Sequence, residues 1–97
     1  PPASRENRKE RGRSRARLSD QTRPLRIELE QVEARLARIA GERQEIEAAL
    51  AANALAPAAI ADAGRQLNHS AAETAMLEER WLDLSGEIDA ISAAAGS

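Results

Sequence analysis

Seven basic residues, Arg5, Arg8, Lys9, Arg11, Arg13, Arg15 and Arg17, crowd the first seventeen positions, and all but Lys9 are arginine. A guanidinium is planar, permanently charged and able to grip phosphate oxygens with two parallel N–H bonds, so the chemistry open to this run is the neutralisation of a phosphate backbone. Arg23, Arg26, Arg35 and Arg38 extend the same chemistry into the following segment and complete the set of candidate nucleic-acid contacts. Residues 1–26 hold nine Arg and Lys against three acids, whereas 27–97 hold five against thirteen, so the modest net charge of −2 conceals a basic beginning and an acidic remainder. No apolar period is visible before Leu18, and Gly12 and Ser14 interrupt the run. The segment therefore reads as a solvated, disordered basic arm over 1–18, with a plain charged interdomain linker as the bland alternative.

Little else in the chain suggests chemistry. His69 is the only histidine, and there is no cysteine, so thiolate zinc sites, disulfides and a cysteine nucleophile are excluded. His69 reads as a solvated helical residue beside Asn68 and Ser70. The acids between Glu28 and Asp89 are spaced as the charged face of a helix, without an accompanying pocket for acid–base work. Ser85 and Ser92 have no base partner, and five scattered glycines make no phosphate-cradling loop. Trp81 has the option of stacking on a base, but its phase in the pattern described next assigns it to a core. No metal and no cofactor is expected in this chain, and no enzymatic activity.

The elements that must carry these residues follow from periodicity. Large apolar residues fall alternately four and three apart at Leu25, Leu29, Val32, Leu36, Ile39, Ile46 and Leu50, with Arg43 in the one polar slot. In heptad terms Leu29, Leu36, Arg43 and Leu50 take a, and Leu25, Val32, Ile39 and Ile46 take d. A second run places Ile60, Leu67, Thr74, Trp81 and Ile88 at a, with Ala63, Ser70, Leu77, Leu84 and Ile91 at d. Between them Asn53 can cap a first helix of about 22–52 and Pro57 can open a second of about 57–93. A short connection makes the two antiparallel neighbours. Pairing a with d across the hairpin sets Ile46 against Leu67, Leu36 against Leu77 and Val32 against Trp81, and it brings the two polar misfits, Arg43 and Ser70, into one layer. Thr22 is placed as N-cap with Pro24 in the first turn, although Leu18 keeps the phase one repeat earlier, which leaves room for a kinked extra turn.

Composition agrees with a narrow helical seam. Alanine supplies 22 of the 97 residues, there is a single aromatic, and β-branched residues are few. The fold expected is all-α, an antiparallel two-helix coiled-coil hairpin over 19–97 behind the basic arm; sandwiches, barrels and doubly wound sheets are excluded. The most apolar stretch, around Ala48 to Ala63, is broken by Asn53, Pro57 and Asp62, so no membrane span is expected. The lack of cysteine suits a cytoplasmic setting, and the Pro1-Pro2 start suggests a piece of a longer protein.

Two phrases and their separation carry a family resemblance: Arg17-Leu18-Ser19-Asp20-Gln21-Thr22-Arg23-Pro24-Leu25-Arg26 leading into Ile27-Glu28, and Glu79-Arg80-Trp81-Leu82-Asp83-Leu84-Ser85. The stretch from Arg15 to Ile91 resembles the carboxy-terminal coiled-coil extension of ABC-F proteins, the soluble ATP-binding cassette ATPases without a membrane domain, in particular their Uup and YheS-like branches. The inter-helix tip departs from the family, where Asp-Pro is often followed shortly by Tyr; here it reads Ala51-Ala52-Asn53-Ala54-Leu55-Ala56-Pro57. The resemblance implies a parent that binds ATP and magnesium and works at the ribosome in translation or on nucleic acid, with this chain as an accessory module. Partners expected are nucleic acid, DNA or ribosomal RNA, and the parent's ATPase domains, with the chain itself a monomer or weak dimer. The competing expectation is a spacer or protein-interaction hairpin that docks on those domains or dimerises.

Overall fold

A computed structural model of the chain describes residues 2–96, with side chains from Ser4 onward; Pro1 at the start of the expected arm and Ser97 at the end of the expected coiled-coil domain lie outside the described residues. Two helices account for the structure, α1 (Pro2–Ala51) and α2 (Pro57–Gly96), and there is no strand among the described residues. The fold is the antiparallel two-helix coiled coil anticipated from the heptads.

The connection is built as its residues dictate. Asn53 adopts a left-handed backbone with φ of 54°, a conformation that asparagine tolerates better than other non-glycine residues. Its N–H donates to the Leu50 carbonyl at 3.1 Å and the Ala52 N–H to the Ala48 carbonyl at 3.0 Å, so two carbonyls at the end of α1 find donors. Pro57 is the first residue of α2, where its missing N–H costs nothing, and the Ala56 carbonyl accepts the first helical bond from Ile60 at 3.0 Å.

The chain divides into two compact units, one of Gln31–Trp81 around the connection and one joining Pro1–Glu30 to Leu82–Ser97. In the loop-proximal unit the seam residues Val32, Ile39, Ala63 and Ser70 are buried, while Leu36, Arg43, Ile46, Leu50, Leu67, Thr74, Leu77 and Trp81 are half-buried. Two cross-helix bonds fix its antiparallel register. Arg35 reaches Glu73 and Trp81 reaches Glu33, so residues later in α2 meet residues earlier in α1. Ile46 lines the same groove as Gln66 and Ser70, which lie one residue before and three after the Leu67 expected opposite it. Ile60 is the exception among the seam positions, 46% exposed beside the turn.

In the terminal unit Leu84 is fully buried and Thr22 is 5% exposed, with Leu18, Leu25, Leu29, Ile88 and Ile91 half-buried around the same seam phase. Two expectations are corrected here. α1 does not start at Thr22, and residues 4–18, expected as a disordered arm, lie within it as helix. The physical reason is that helix nucleation is the costly step and propagation is cheap; a helix already anchored by the seam extends into Arg, Lys, Glu and Ala residues that favour it. Nor is Thr22 a cap. It occupies an a position in mid-helix, and its hydroxyl donates to the Leu18 carbonyl at 3.0 Å, with a longer approach of 3.4 Å to that of Ser19.

α1 passes through Pro24 without interruption. Proline removes the amide that would bond the carbonyl four residues back, and its ring crowds that turn. Side chains occupy the neighbouring acceptors. Beyond the Thr22 bonds, Arg26 Nη2 donates to the Ser19 carbonyl at 3.1 Å and to Ser19 Oγ at 3.2 Å.

Candidate nucleic-acid interface

The candidate contacts divide between the two units. Arg5, Arg8, Lys9, Arg11, Arg13, Arg15, Arg17, Arg23 and Arg26 belong to the terminal unit, whereas Arg35 and Arg38 belong to the loop-proximal one. All nine in the terminal unit are exposed, and so is every described side chain from Ser4 to Arg17 apart from Gly12. This stretch of α1 has no buried face at all, so the seam holds nothing before Leu18.

Its charges are not equivalent. Glu10 takes two of the cations: Arg17 Nη2 lies 3.3 Å from its Oε1 and Arg13 Nη1 3.8 Å from its Oε2. Arg17 also donates to Ser14 Oγ at 3.2 Å. Farther on, Arg23 stands 3.7 Å from Asp20 and Arg26 is engaged with Ser19. Arg5, Arg8, Lys9, Arg11 and Arg15 have no ion pair among the described residues. Exposed pairs such as those of Glu10 are each worth well under about 1 kcal/mol, so a phosphate could displace them.

Arg35 is differently placed. Its Nε and Nη2 grip the two carboxylate oxygens of Glu73 at 2.7 and 3.0 Å, a two-pronged bond between α1 and α2. That hydrogen bond, aided by the carboxylate's charge, raises the Arg35 pKa above the ordinary guanidinium value. The same bond holds the Glu73 carboxyl below the usual glutamate range against the partial burial that pushes the other way, and His69 adds a smaller pull downward. Arg35 is thus committed to the hairpin, with two of its donors spoken for. Arg38 is exposed on the same helix.

Glu73 and Glu33 are the functional partners that reading the sequence for phosphate contacts missed, though a signal existed: Arg35 and Glu73 each occupy the g position of their heptads, beside the seam, where interhelical ion pairs form. Trp81 is half-buried in the seam and its Nε1 donates to Glu33 Oε1 at 3.0 Å. An indole with its ring in a core and its N–H satisfied at the edge is poorly placed to stack on a base. Ser70 is buried as expected, while the half-buried Arg43 directs its guanidinium to Glu47 of its own helix at 3.9 Å.

An open groove of about 470 Å³ in the loop-proximal unit is lined by Glu42, Glu45, Ile46, Arg65, Gln66, His69 and Ser70. Arg65 pairs with Asp62 there. No group of three or more His, Asp or Glu is arranged to hold a metal ion among the described residues. Ser85 is half-buried and Ser92 exposed, and neither is hydrogen-bonded to a histidine, the chain's sole one being His69 in the other unit. Among the described residues no helix is long and apolar enough to cross a membrane. Comparison with protein-family models, with curated proteins and with solved structures finds nothing that matches this chain.

Proposed function

We propose that the chain is a nucleic-acid-binding module that contacts the phosphate backbone of DNA or ribosomal RNA through the basic first turns of α1. The observation that carries this reading is the exposed helical stretch 4–17, which holds seven Arg and Lys against two acids and buries nothing against the rest of its unit. Such a surface has no role in packing. Its arginines supply the charge and the paired donors that phosphate oxygens accept, and contacts of this kind position a protein on nucleic acid without reading sequence. No exposed aromatic platform accompanies them, so binding is to backbone and shape.

The phrases around Pro24 and Trp81 support a setting for the module as the carboxy-terminal extension of an ABC-F type ATPase acting in the cytoplasm, with ATP and magnesium handled by the parent. Fluorescence anisotropy tests the binding. The chain, and a version beginning at residue 19, are titrated into a labelled DNA duplex and a ribosomal RNA hairpin at two salt concentrations. Micromolar or weaker binding that disappears with the arm and fades steeply with salt is the expected result. Equal binding by the shortened chain, or none by either at low salt, contradicts it and favours the spacer reading, in which the hairpin docks on protein.

A further inference from the structure

The exposed stretch of α1 sorts its cations by face. At about 100° per residue, Arg5, Arg8, Arg11, Arg15, Arg23 and Arg26 fall within an arc of about 120° around the helix axis. No acid lies in that arc before Glu30, because Glu6, Glu10 and Asp20 all project from the opposite side. Arg13 and Arg17 project with them and are the two residues that pair with Glu10. The helix therefore has a cation-only face and a mixed, self-neutralised one.

The cation-only face is uncomfortable in isolation. Arg5 and Arg8, Arg8 and Arg11, and Arg11 and Arg15 are three or four residues apart, the spacings at which side chains on a helix are neighbours and like charges repel. A row of anions would turn that repulsion into attraction, and a duplex backbone supplies one. Arg5 to Arg15 spans about 15 Å of helix. A strand of duplex DNA offers a phosphate about every 3.4 Å along its axis, so about four phosphates lie within reach of four guanidinium groups.

Building on the nucleic-acid reading above, we infer that this segment engages a duplex as a helix lying on one face, with Arg5, Arg8, Arg11 and Arg15 on the phosphates and Arg13 and Arg17 turned away. The helical geometry sets the contacts, and total charge alone does not. A disordered polycation would use all its arginines alike.

The test compares two double variants of identical charge, Arg8→Gln with Arg15→Gln and Arg13→Gln with Arg17→Gln, by anisotropy on a labelled 20-base-pair DNA duplex between 50 and 200 mM salt. Glutamine keeps good helix propensity, and circular dichroism confirms that both variants fold. Losing two phosphate contacts should make the slope of log K against log salt shallower by about 1.8, so the wild-type advantage over the first variant shrinks about tenfold across that salt range. The second variant should keep the wild-type slope. Equal loss in both variants while the wild type binds overturns the one-faced geometry and leaves the nucleic-acid reading standing. Failure of the wild type to bind overturns both.

Discussion

Leu84 and Ile39 are the two large side chains with essentially no exposure, 0% and 1%. In a seam only two helices wide, most apolar residues keep one flank in water, so these positions carry a disproportionate share of the packing. Leu84→Ala should cost about 2–4 kcal/mol, and the half-buried Leu36→Ala less, measured by urea unfolding monitored at 222 nm. The Arg35–Glu73 bridge makes a prediction with a pH sign. Because Glu73 is held below the usual glutamate range, its contribution is present above that range and is lost as pH falls through its lowered value. Glu73→Gln should therefore lower the melting temperature at pH 7, and the difference from wild type should close well below about pH 4, once the bridged carboxyl is itself protonated. A gap that persists unchanged at pH 2 would mean that the charge is not what the bridge contributes.

At the scale of elements, the heptads located the seam from Leu25 to Ile91 because a 3.5-residue period has only one structural reading at that length. Asn53 and Pro57 marked the connection for equally local reasons: one tolerates a left-handed backbone and the other suits a first helical position. Where α1 begins was not legible. Thr22 and Pro24 have the look of a helix start, yet a helix anchored downstream propagates through Pro24 at the loss of the one backbone bond that the Asp20 carbonyl would accept. That account predicts that Pro24→Ala, which restores an amide to the ladder, raises stability by about 1–3 kcal/mol in thermal melts. Lower stability in that variant would show that the proline is required by the packing around it. The candidate site was legible as a count of arginines in the first seventeen residues, but its division into paired and unpaired cations was not, since that division depends on the helical phase of Glu10.

For the whole molecule, the division of charge along the chain and the division of packing along it coincide. The basic residues concentrate where α1 has no buried face, and the acidic remainder carries the seam. Met76 and Leu82, 71% and 65% exposed, are the large apolar side chains most open to water, and both lie on α2. Removing residues 1–17 should thus leave the helical melt of the remaining chain nearly unchanged, within about 0.5 kcal/mol, because surface segments without buried contacts contribute little to stability. A loss of several kcal/mol would place a packing function in the arm.

The central claim, that nucleic acid meets this chain at the basic turns of α1, is tested most directly by titrating a short DNA duplex into the 15N-labelled chain and following its amide and arginine side-chain resonances. The account predicts shifts concentrated between residues 4 and 26, largest at Arg8, Arg11 and Arg15, with residues 57–81 of α2 unmoved and the shifts reversed by added salt. Shifts centred on the groove around His69 and Glu45, or spread evenly over both helices, would contradict it.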